Sequence, residues 1–336
     1  MRMNYRKIGP VEIIMGENNS HVPFSTSLII RGQEHSTLID CGAGRKAFNY
    51  LQKEHNVKQI YLTHHHVDHI WGAQLFTEAE KFINPFDIKK VSDIHEILKS
   101  EGFYAVFGKE DIKELVQKQQ NREYQDHIIG KRTLDVHSTY SYDLNMKLSD
   151  TNVIMIHSPG HTEGYCCPYL TDYGILFVGD FDLSSFGPFY CDAESNIDNF
   201  IESARKTLDV EAKYFVTSHH KGIFLKDEYK KGLNHYLDII ERREEKIKRF
   251  IKAGYLPREL ANQEIFYYKN QYKRSPLFIK SEKIGIVKHL VRLIKNGEPF
   301  KDFLTDFILA FNMSMENTEY KSEINDSTPC RNYYCG

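Results

Sequence analysis

At 336 residues, the chain is long enough for one large domain, or for a large domain and a small one. A hydrophobic content of 41% and a charged content of 27% are typical of a globular protein. With a formal net charge of -2, the global charge gives no argument for strong attraction to nucleic acid or membranes. The N-terminus lacks the apolar core of a signal peptide, and no apolar run approaches about 18 residues. We therefore expect a cytoplasmic protein.

The N-terminal part of the chain predicts a β-meander, a helix and a further strand. Apolar runs separated by turn residues are the basis of this prediction. In chain order, the elements fall at residues 11–15, 27–30, 37–40, 46–54 and 59–62. The last strand ends directly before a run of histidines, and a short helix is expected to begin at Asp68.

A charged stretch with helix-like spacing of its apolar residues covers about residues 86–130 and interrupts two β-rich regions. We interpret it as a helical insertion that could cover a site. Further strands are predicted at 132–136, 146–148, 153–157, 173–178 and 214–217, with a helix at 197–208. This alternation of strands and helices indicates an α/β fold.

From about residue 226 the chain becomes helical and charged, with helix ends marked by Gly254 and Gly297. Residues 312–336 are polar and show no pattern, so we expect them to be loosely ordered. The predicted organisation is a catalytic domain over 1–225, a helical cap over 226–311 and a tail over 312–336.

Histidines and aspartates are concentrated at the ends of the predicted strands, most densely at residues 64–69. Imidazole and carboxylate are the ligands that suit Zn²⁺ and its neighbours, and a protein core would not tolerate such a cluster unpaired. The candidate ligands are His64, His66, Asp68, His69, His161, Asp180 and one of His219 or His220. Seven ligands are too many for one tetrahedral zinc ion but suit two metal ions that share a carboxylate and hold a bridging hydroxide.

This pattern resembles the metallo-β-lactamase-fold hydrolases, whose motifs are a strand-end Asp, HxHxDH, a later His, a bridging Asp and a final His. Here the motifs stand as Asp40, His64-x-His66-x-Asp68-His69, His161, Asp180 and His219. The resemblance implies an αββα sandwich with the metal ions at one edge, followed by a helical C-terminal extension. Residues 228–298 are loosely similar to the winged-helix-like C-terminal part of some members.

The resemblance also implies how the ligands are divided between two metal ions. The first ion is bound by His64, His66 and His161, the second by Asp68, His69 and His219, and Asp180 bridges the two. Two divalent ions are implied, and zinc is favoured, although iron and manganese also accept such ligands.

Four residues in or beside the motifs, Asp40, Asp68, His219 and His65, receive separate interpretations. The residue that matches Asp40 supports the ligands from behind in this family, as carboxylates behind metal-bound histidines do. Asp68 is the candidate catalytic residue, which orients the hydroxide and carries its proton. His219 fits the final histidine of the family better than His220. His65 points to the opposite side of an extended segment, so we expect it to be a bystander.

The implied function is metal-dependent hydrolysis. The substrates of the family include thioesters, lactones, β-lactams and phosphodiesters. We predict a small acyl substrate, such as a thioester, an ester or a lactone, because the chain is nearly neutral and lacks the basic stripe expected for RNA.

Three alternatives differ in class. Hydrolysis of single-stranded RNA or another phosphodiester is the main one, since residues 226–252 carry many Lys and Arg, although Glu residues alternate with them. A di-iron oxidoreductase is the second, but His66 stands where flavodiiron members usually carry Glu. A non-catalytic binding protein is the third, and it would not need a full set of ligands.

Overall fold

The computed structural model describes residues 5–120, 132–220, 222–267 and 275–314. Two mixed β-sheets form the centre of the N-terminal part. The first consists of β1 (Tyr5–Ile8), β2 (Val11–Ile14), β3 (Ser27–Arg31), β4 (Ser36–Ile39), β5 (Val57–Leu62), β6 (Glu80–Ile83) and β7 (Ser138–Thr139). The second consists of β8 (Asn145–Leu148), β9 (Thr151–His157), β10 (Cys166–Leu170), β11 (Ile175–Gly179), β12 (Tyr214–Thr217) and β13 (Ile223–Leu225).

Both sheets combine antiparallel and parallel pairs. In the first sheet the strands follow chain order, antiparallel from β1 to β4 and parallel from β4 to β7. The second sheet has the order β13-β12-β11-β10-β9-β8, in which only the β11–β12 pair is parallel. Because parallel neighbours end at the same edge, the loops after β4, β5 and β6 lie side by side, as do those after β11 and β12.

An apolar core lies between the two sheets. Leu28 and Ile39 of the first sheet pack in one cluster with Val153, Phe177 and Val216 of the second. All five side chains are fully buried. On β3, Leu28 and Ile30 belong to this cluster, whereas Ile29 between them belongs to the cluster on the outer face of the first sheet, as the alternation of side chains along a strand requires.

The described residues also form α-helices. They are α1 (Glu17–Ser20), α2 (Arg45–Glu54), α3 (Val67–Ile70), α4 (Ile88–Ser92), α5 (Ile94–Ser100), α6 (Phe103–Val106), α7 (Lys109–Gln120), α8 (Ile197–Lys206), α9 (Lys226–Lys252), α10 (Pro257–Leu260), α11 (Pro276–Lys295) and α12 (Lys301–Ala310). Of these, α2 and the first turn of α9 pack against the sheets. Phe48 and Leu51 of α2 pack with Ile60 on the outer face of the first sheet. Tyr229 of α9 stacks on Phe215 of β12, with ring centroids 4.5 Å apart. The result is the αββα sandwich that the resemblance implied, with a helical C-terminal region.

The chain divides into two compact units. Among the described residues, the first takes in residues up to Ile97, Lys113–Tyr190 and Ser195–Ile239. The second takes in Leu98–Ile112, Cys191–Glu194 and the residues from Ile240 onward. The domain boundary near residue 225 remains a prediction; it falls inside the first unit. In the described part of 226–314, the regular secondary structure is helical, and the winged-helix likeness also remains a prediction.

Most elements agree with the sequence analysis, and the strand predicted at 132–136 is wrong. Residues 132–137 form no strand, and the Leu134 backbone N–H donates to the carbonyl of Val91 in α4 (2.6 Å). The described part of the predicted insertion is helical, and residues 121–130 of it lie outside the described residues. The same holds for residues 315–336 of the predicted tail. Among the described helices, none combines the length and the apolar character that crossing a membrane requires.

A buried carboxylate in β2 yields a prediction about stability. Glu12 is 1% exposed; its oxygens accept from the Tyr50 hydroxyl (2.9 Å) and face Arg31 (2.5 Å) and His55 (3.5 Å). Glu12→Gln removes the negative charge of the carboxylate and so weakens its contacts with Arg31, His55 and Tyr50. We therefore expect the free energy of unfolding to fall by about 2 kcal/mol in urea titrations. The matched control is Glu54→Gln, whose exposed pair with Lys53 (3.7 Å) should be worth less than about 0.5 kcal/mol. Equal effects of the two substitutions would contradict this reasoning.

Candidate metal centre

The candidate ligands lie in loops at the carboxyl ends of strands, except Asp68 and His69, which belong to the short helix α3 after β5. Residues 63–66 follow β5 directly, and His66 is the N-cap of α3 with an extended backbone (φ -61°, ψ 139°). Asp180 follows β11, and His219 follows β12 after one intervening residue. Because β11 and β12 are parallel neighbours, both residues reach the same edge of the second sheet. His161 lies in the loop between β9 and β10.

The first group of ligand atoms has all its members within 4.8 Å of one another. It consists of His64, His66, His161 and Asp180. The Nδ1 of His161 donates to the carbonyl of Phe189 (2.8 Å), which leaves its Nε2 for the centre, 3.0 Å from the Nδ1 of His66. The Nδ1 of His64 lies 3.0 Å from the Thr63 hydroxyl, so its Nε2 is also turned inward.

The second group consists of Asp68, His69 and His219, whose ligand atoms again lie within 4.8 Å of one another. The Nδ1 of His69 donates to the Asp40 carboxylate (2.7 Å). The Nδ1 of His219 lies 2.9 Å from the carbonyl oxygen of Ser20 and 3.0 Å from that of Phe24. The His219 Nε2 is 3.6 Å from Asp68 Oδ2. Both imidazoles therefore present Nε2 to the centre.

The Asp180 carboxylate lies between the two groups. Its Oδ2 is 2.9 Å from His161 Nε2 and 3.6 Å from His64 Nε2. Its Oδ1 is 3.1 Å from His69 Nε2 and 3.5 Å from His219 Nε2. Each oxygen therefore faces one group of histidines, which is the arrangement that a bridging carboxylate needs.

The backbone at Asp180 is fixed by tyrosines. Its N–H donates to the Tyr165 hydroxyl oxygen (2.6 Å), and this hydroxyl donates to the carbonyl of Val178 (2.8 Å). The Tyr236 hydroxyl donates to the Asp180 carbonyl (2.9 Å). Gly179 has φ +52°, and a Cβ there would lie 2.2 Å from the Tyr165 oxygen. The sequence analysis missed Tyr165, because β10 was not predicted.

Burial and charge set the protonation of the centre. Burial acts to raise the pKa of Asp180, but His69 and His161 outweigh it and hold that pKa well below its usual range. Burial lowers the pKa of His64 well below its usual value, with the neighbouring imidazoles adding to the effect. Burial also acts to lower the pKa of His69, but Asp180 and Asp40 outweigh it and raise that pKa well above its usual value. The centre therefore attracts positive charge.

The residues fit divalent metal ions. The Nε2 of His64 is buried and has no hydrogen-bond partner among the residues that the structure describes. Orphaned polar atoms of this kind are costly unless something binds them. Imidazole nitrogens with carboxylate oxygens are a donor set that suits zinc, iron or manganese.

Asp40 contacts the histidine loop and one candidate ligand from behind. Its Oδ1 accepts from the Thr63 backbone N–H (2.8 Å), and its Oδ2 accepts from the Thr63 hydroxyl (2.9 Å) and from His69. The carboxylate thus fixes both the start of the histidine loop and the ring of His69. Such a contact orients a ligand and raises its basicity.

Of the two adjacent histidines at the end of β12, the structure brings His219 into the cluster. The backbone of His220 has φ +54°, and its ring packs edge-on against His21, with centroids 4.0 Å apart. His65 points away from the cluster, as predicted, but it is buried and faces Asp87. The sequence analysis missed Asp87 because β6 was not predicted; the available signal was the polar pair Asn84 and Asp87 on either side of Pro85 and Phe86.

The sequence of residues 22–219, more than half of the chain, matches the family model described as the metallo-beta-lactamase superfamily. Similar solved structures include a metallo-beta-lactamase family protein from Thermus thermophilus, with 17% identity and a TM-score of 0.61, over 86% of this chain and 94% of that one. A beta-lactamase domain protein from Burkholderia ambifaria has 14% identity and a TM-score of 0.60, over 88% of this chain and 89% of that one. At these identities the likeness shows the fold. No curated protein sequence matches this chain.

A close approach beside the centre gives a prediction. A Cβ at Gly42 would lie 1.7 Å from the Asp68 carbonyl oxygen and 2.1 Å from the Ser25 hydroxyl. Gly42→Ala must therefore displace Asp68, and we expect a loss of about 3 kcal/mol in stability together with weaker metal binding. Thermal unfolding and metal analysis would check this. In the control Gly108→Ala, the added Cβ meets its nearest neighbour at 3.9 Å. Wild-type metal content in Gly42→Ala would contradict the prediction.

Proposed function

The chain belongs to the metallo-beta-lactamase superfamily, and from this membership we propose that it is a hydrolase that uses two divalent metal ions, preferably zinc, on a small acyl substrate. The observation that carries the proposal is the Asp180 carboxylate, whose two oxygens face separate groups of histidines. One metal ion would not need a carboxylate shared in this way. Thioesters, esters and lactones are the proposed substrates.

Each side chain then has a defined task. His64, His66 and His161 would hold the first ion, Asp68, His69 and His219 the second, and Asp180 both. When bound, the ions would supply a water molecule whose pKa is lowered towards about 7 and positive charge that stabilises the developing oxyanion. Asp40 accepts a hydrogen bond from the Nδ1 of His69, and this contact would leave the Nε2 of His69 available to hold the second ion.

Asp68 is proposed to orient the attacking water and to accept its proton. Its side chain is 15% exposed, whereas that of His69 is fully buried, so the carboxylate can contact both the second ion and solvent. The Ser25 hydroxyl donates to the Asp68 carbonyl (2.8 Å). This contact fixes the backbone from which the carboxylate projects. A carboxylate held in this way can pass the proton to the leaving group.

An aromatic ring beside the first group supports an acyl substrate. Phe189 is half-buried, and its ring centroid lies 6.2 Å from that of His66 and 5.9 Å from that of His161. Such a ring offers apolar contact to an acyl group but no positive charge to a phosphate. The proposed substrate is therefore uncharged at the part that lies next to the first ion.

The basic side chains of α9 lend little support to RNA as the substrate. Lys248 and Lys252 lie 3.7 Å and 3.5 Å from the Glu298 carboxylate. The guanidinium of Arg243 is buried over the Phe266 ring, 4.2 Å from its centroid. Cations that are engaged within the chain contribute less to binding a phosphate backbone than free ones do.

Metal analysis and a substrate panel test the proposal together. We expect about two zinc ions per chain and hydrolysis of acyl thioesters, esters or lactones. The panel should include a β-lactam and single-stranded RNA. Cleavage of RNA alone would overturn the acyl assignment. Two iron ions with oxygen consumption would overturn hydrolysis, and protein that binds no metal ion would overturn the whole proposal.

Asp68→Ala separates catalysis from folding. We expect turnover to fall by at least about 100-fold, because the proton acceptor is lost, and the second ion to bind more weakly. Circular dichroism should show an intact fold. The matched control is His220→Ala, which removes the histidine next to the candidate ligand His219 and should keep both metal ions. An active Asp68→Ala variant with two bound ions would refute the role of Asp68.

A further inference from the structure

His65 stands between two candidate ligands and takes no part in the proposed mechanism. In an extended segment, residues 64 and 66 project to one side and residue 65 to the other. The side chain of His65 is nevertheless buried, with a relative exposure of 2% for the residue. A buried imidazole directly behind the ligands needs a partner that fixes it.

Asp87 contacts His65 at two points. Its Oδ2 accepts from the His65 backbone N–H (3.2 Å), and its Oδ1 lies 3.3 Å from the His65 Nδ1. The first contact fixes the peptide that joins His64 to His65. The second fixes the direction of the His65 ring. Together they restrict the rotation that would carry the flanking ligands away from the centre.

The Asp87 carboxylate is itself held rigidly. The Asn84 side-chain amide donates to Oδ2 (2.8 Å), and the Asp87 N–H donates to the Asn84 amide oxygen (3.0 Å). The Lys90 ammonium donates to Oδ1 (3.1 Å). Asn84 also reaches the carbonyl of Thr63 (3.4 Å), the residue that begins the histidine loop. The Asp87 carboxylate therefore links the turn after β6 to the histidine loop after β5.

Asp87 and Asp40 occupy corresponding places on the two sides of the histidine loop. The loop follows β5, Asp40 follows β4, and Asp87 follows β6 after a short turn. Asp40 accepts from the Thr63 N–H (2.8 Å), and Asp87 accepts from the His65 N–H (3.2 Å). The backbone N–H groups of Thr63 and His65 thus donate to carboxylates that follow β4 and β6, the two strands on either side of β5.

We propose that Asp87 is a positioning residue of the metal centre, which acts through His65 and Asn84 to hold His64 and His66 in the geometry that the first metal ion needs. This inference rests on the proposed function, since it assumes that these histidines bind metal. Asp87 itself touches neither metal nor substrate. Its loss should weaken metal binding and not merely the fold.

The test measures the affinity of the metal-free protein for Zn²⁺ in competition with a chromophoric chelator. We expect Asp87→Asn to bind Zn²⁺ about tenfold more weakly than the wild type, at the lower end of what contacts behind a ligand contribute. The control is Glu12→Gln, which removes an equally buried carboxylate in the same unit and should leave Zn²⁺ affinity unchanged. The thermal midpoints of both metal-free variants are measured alongside.

Variants at His65 keep the inference testable if Asp87→Asn does not fold. His65→Ala should weaken Zn²⁺ binding, whereas His65→Gln, which can still donate to Asp87, should restore most of it. In the double variant with Asp87→Asn, the effect of His65→Ala should be smaller than in the wild type, because the two residues act as one unit. Affinities of Asp87→Asn and His65→Ala within about twofold of wild type would overturn the inference, and so would an equal loss in Glu12→Gln. A wild-type chain that binds no Zn²⁺ at all would instead overturn the proposed function.

Discussion

The centre depends on keeping one carboxylate, Asp180, ionised in a buried position. Moving a carboxylate out of water costs several kcal/mol unless charges and hydrogen bonds replace the water. Here four imidazole nitrogens surround its two oxygens at 2.9 to 3.6 Å. His69 lies between Asp180 and Asp40, and these carboxylates together raise its pKa. A metal ion would replace the positive charge that a protonated His69 otherwise supplies. The carboxylates of Asp180 and Asp40 therefore favour the binding of cations at this centre.

The fold brings these residues together through its parallel strands. Parallel neighbours end at one edge, so the residues that follow them lie side by side although they are far apart in sequence. In the first sheet this holds for Asp40, the histidine loop and Asp87 after β4, β5 and β6. In the second sheet it holds for Asp180 and His219 after β11 and β12. Among the candidate ligands in the described part of the chain, His161 differs, because it lies in the loop that joins the antiparallel strands β9 and β10.

How much the sequence predicted depended on the strength of each local pattern. The strands with long apolar runs were predicted correctly from their hydrophobic pattern. The motif His64-x-His66-x-Asp68-His69 was recognised because metal-binding residue types are concentrated directly after such a strand. β6 and β10 were missed: β6 carries a buried lysine, Lys81, and β10 contains Pro168, and both residues weaken a strand pattern. With those strands, Asp87 and Tyr165 were missed too. These residues act on the site only through tertiary contacts, which spacing along a single sequence does not encode.

The two groups of ligands differ in character, and this has a consequence under the proposal of two metal ions. The first group has three imidazoles and a share of Asp180. The second adds a carboxylate of its own, Asp68, and has Asp40 behind His69, so its negative charge is greater. Nitrogen-rich groups suit zinc, whereas carboxylate ligands also suit harder ions such as manganese. The remaining ligand of the second group, His219, is oriented by the backbone carbonyls of Ser20 and Phe24 and not by a side chain. His161 of the first group is likewise oriented by a backbone carbonyl, that of Phe189. A change in either loop would therefore disturb the group of ligands that it supports, and the Asp68 carboxylate is what sets the second group apart.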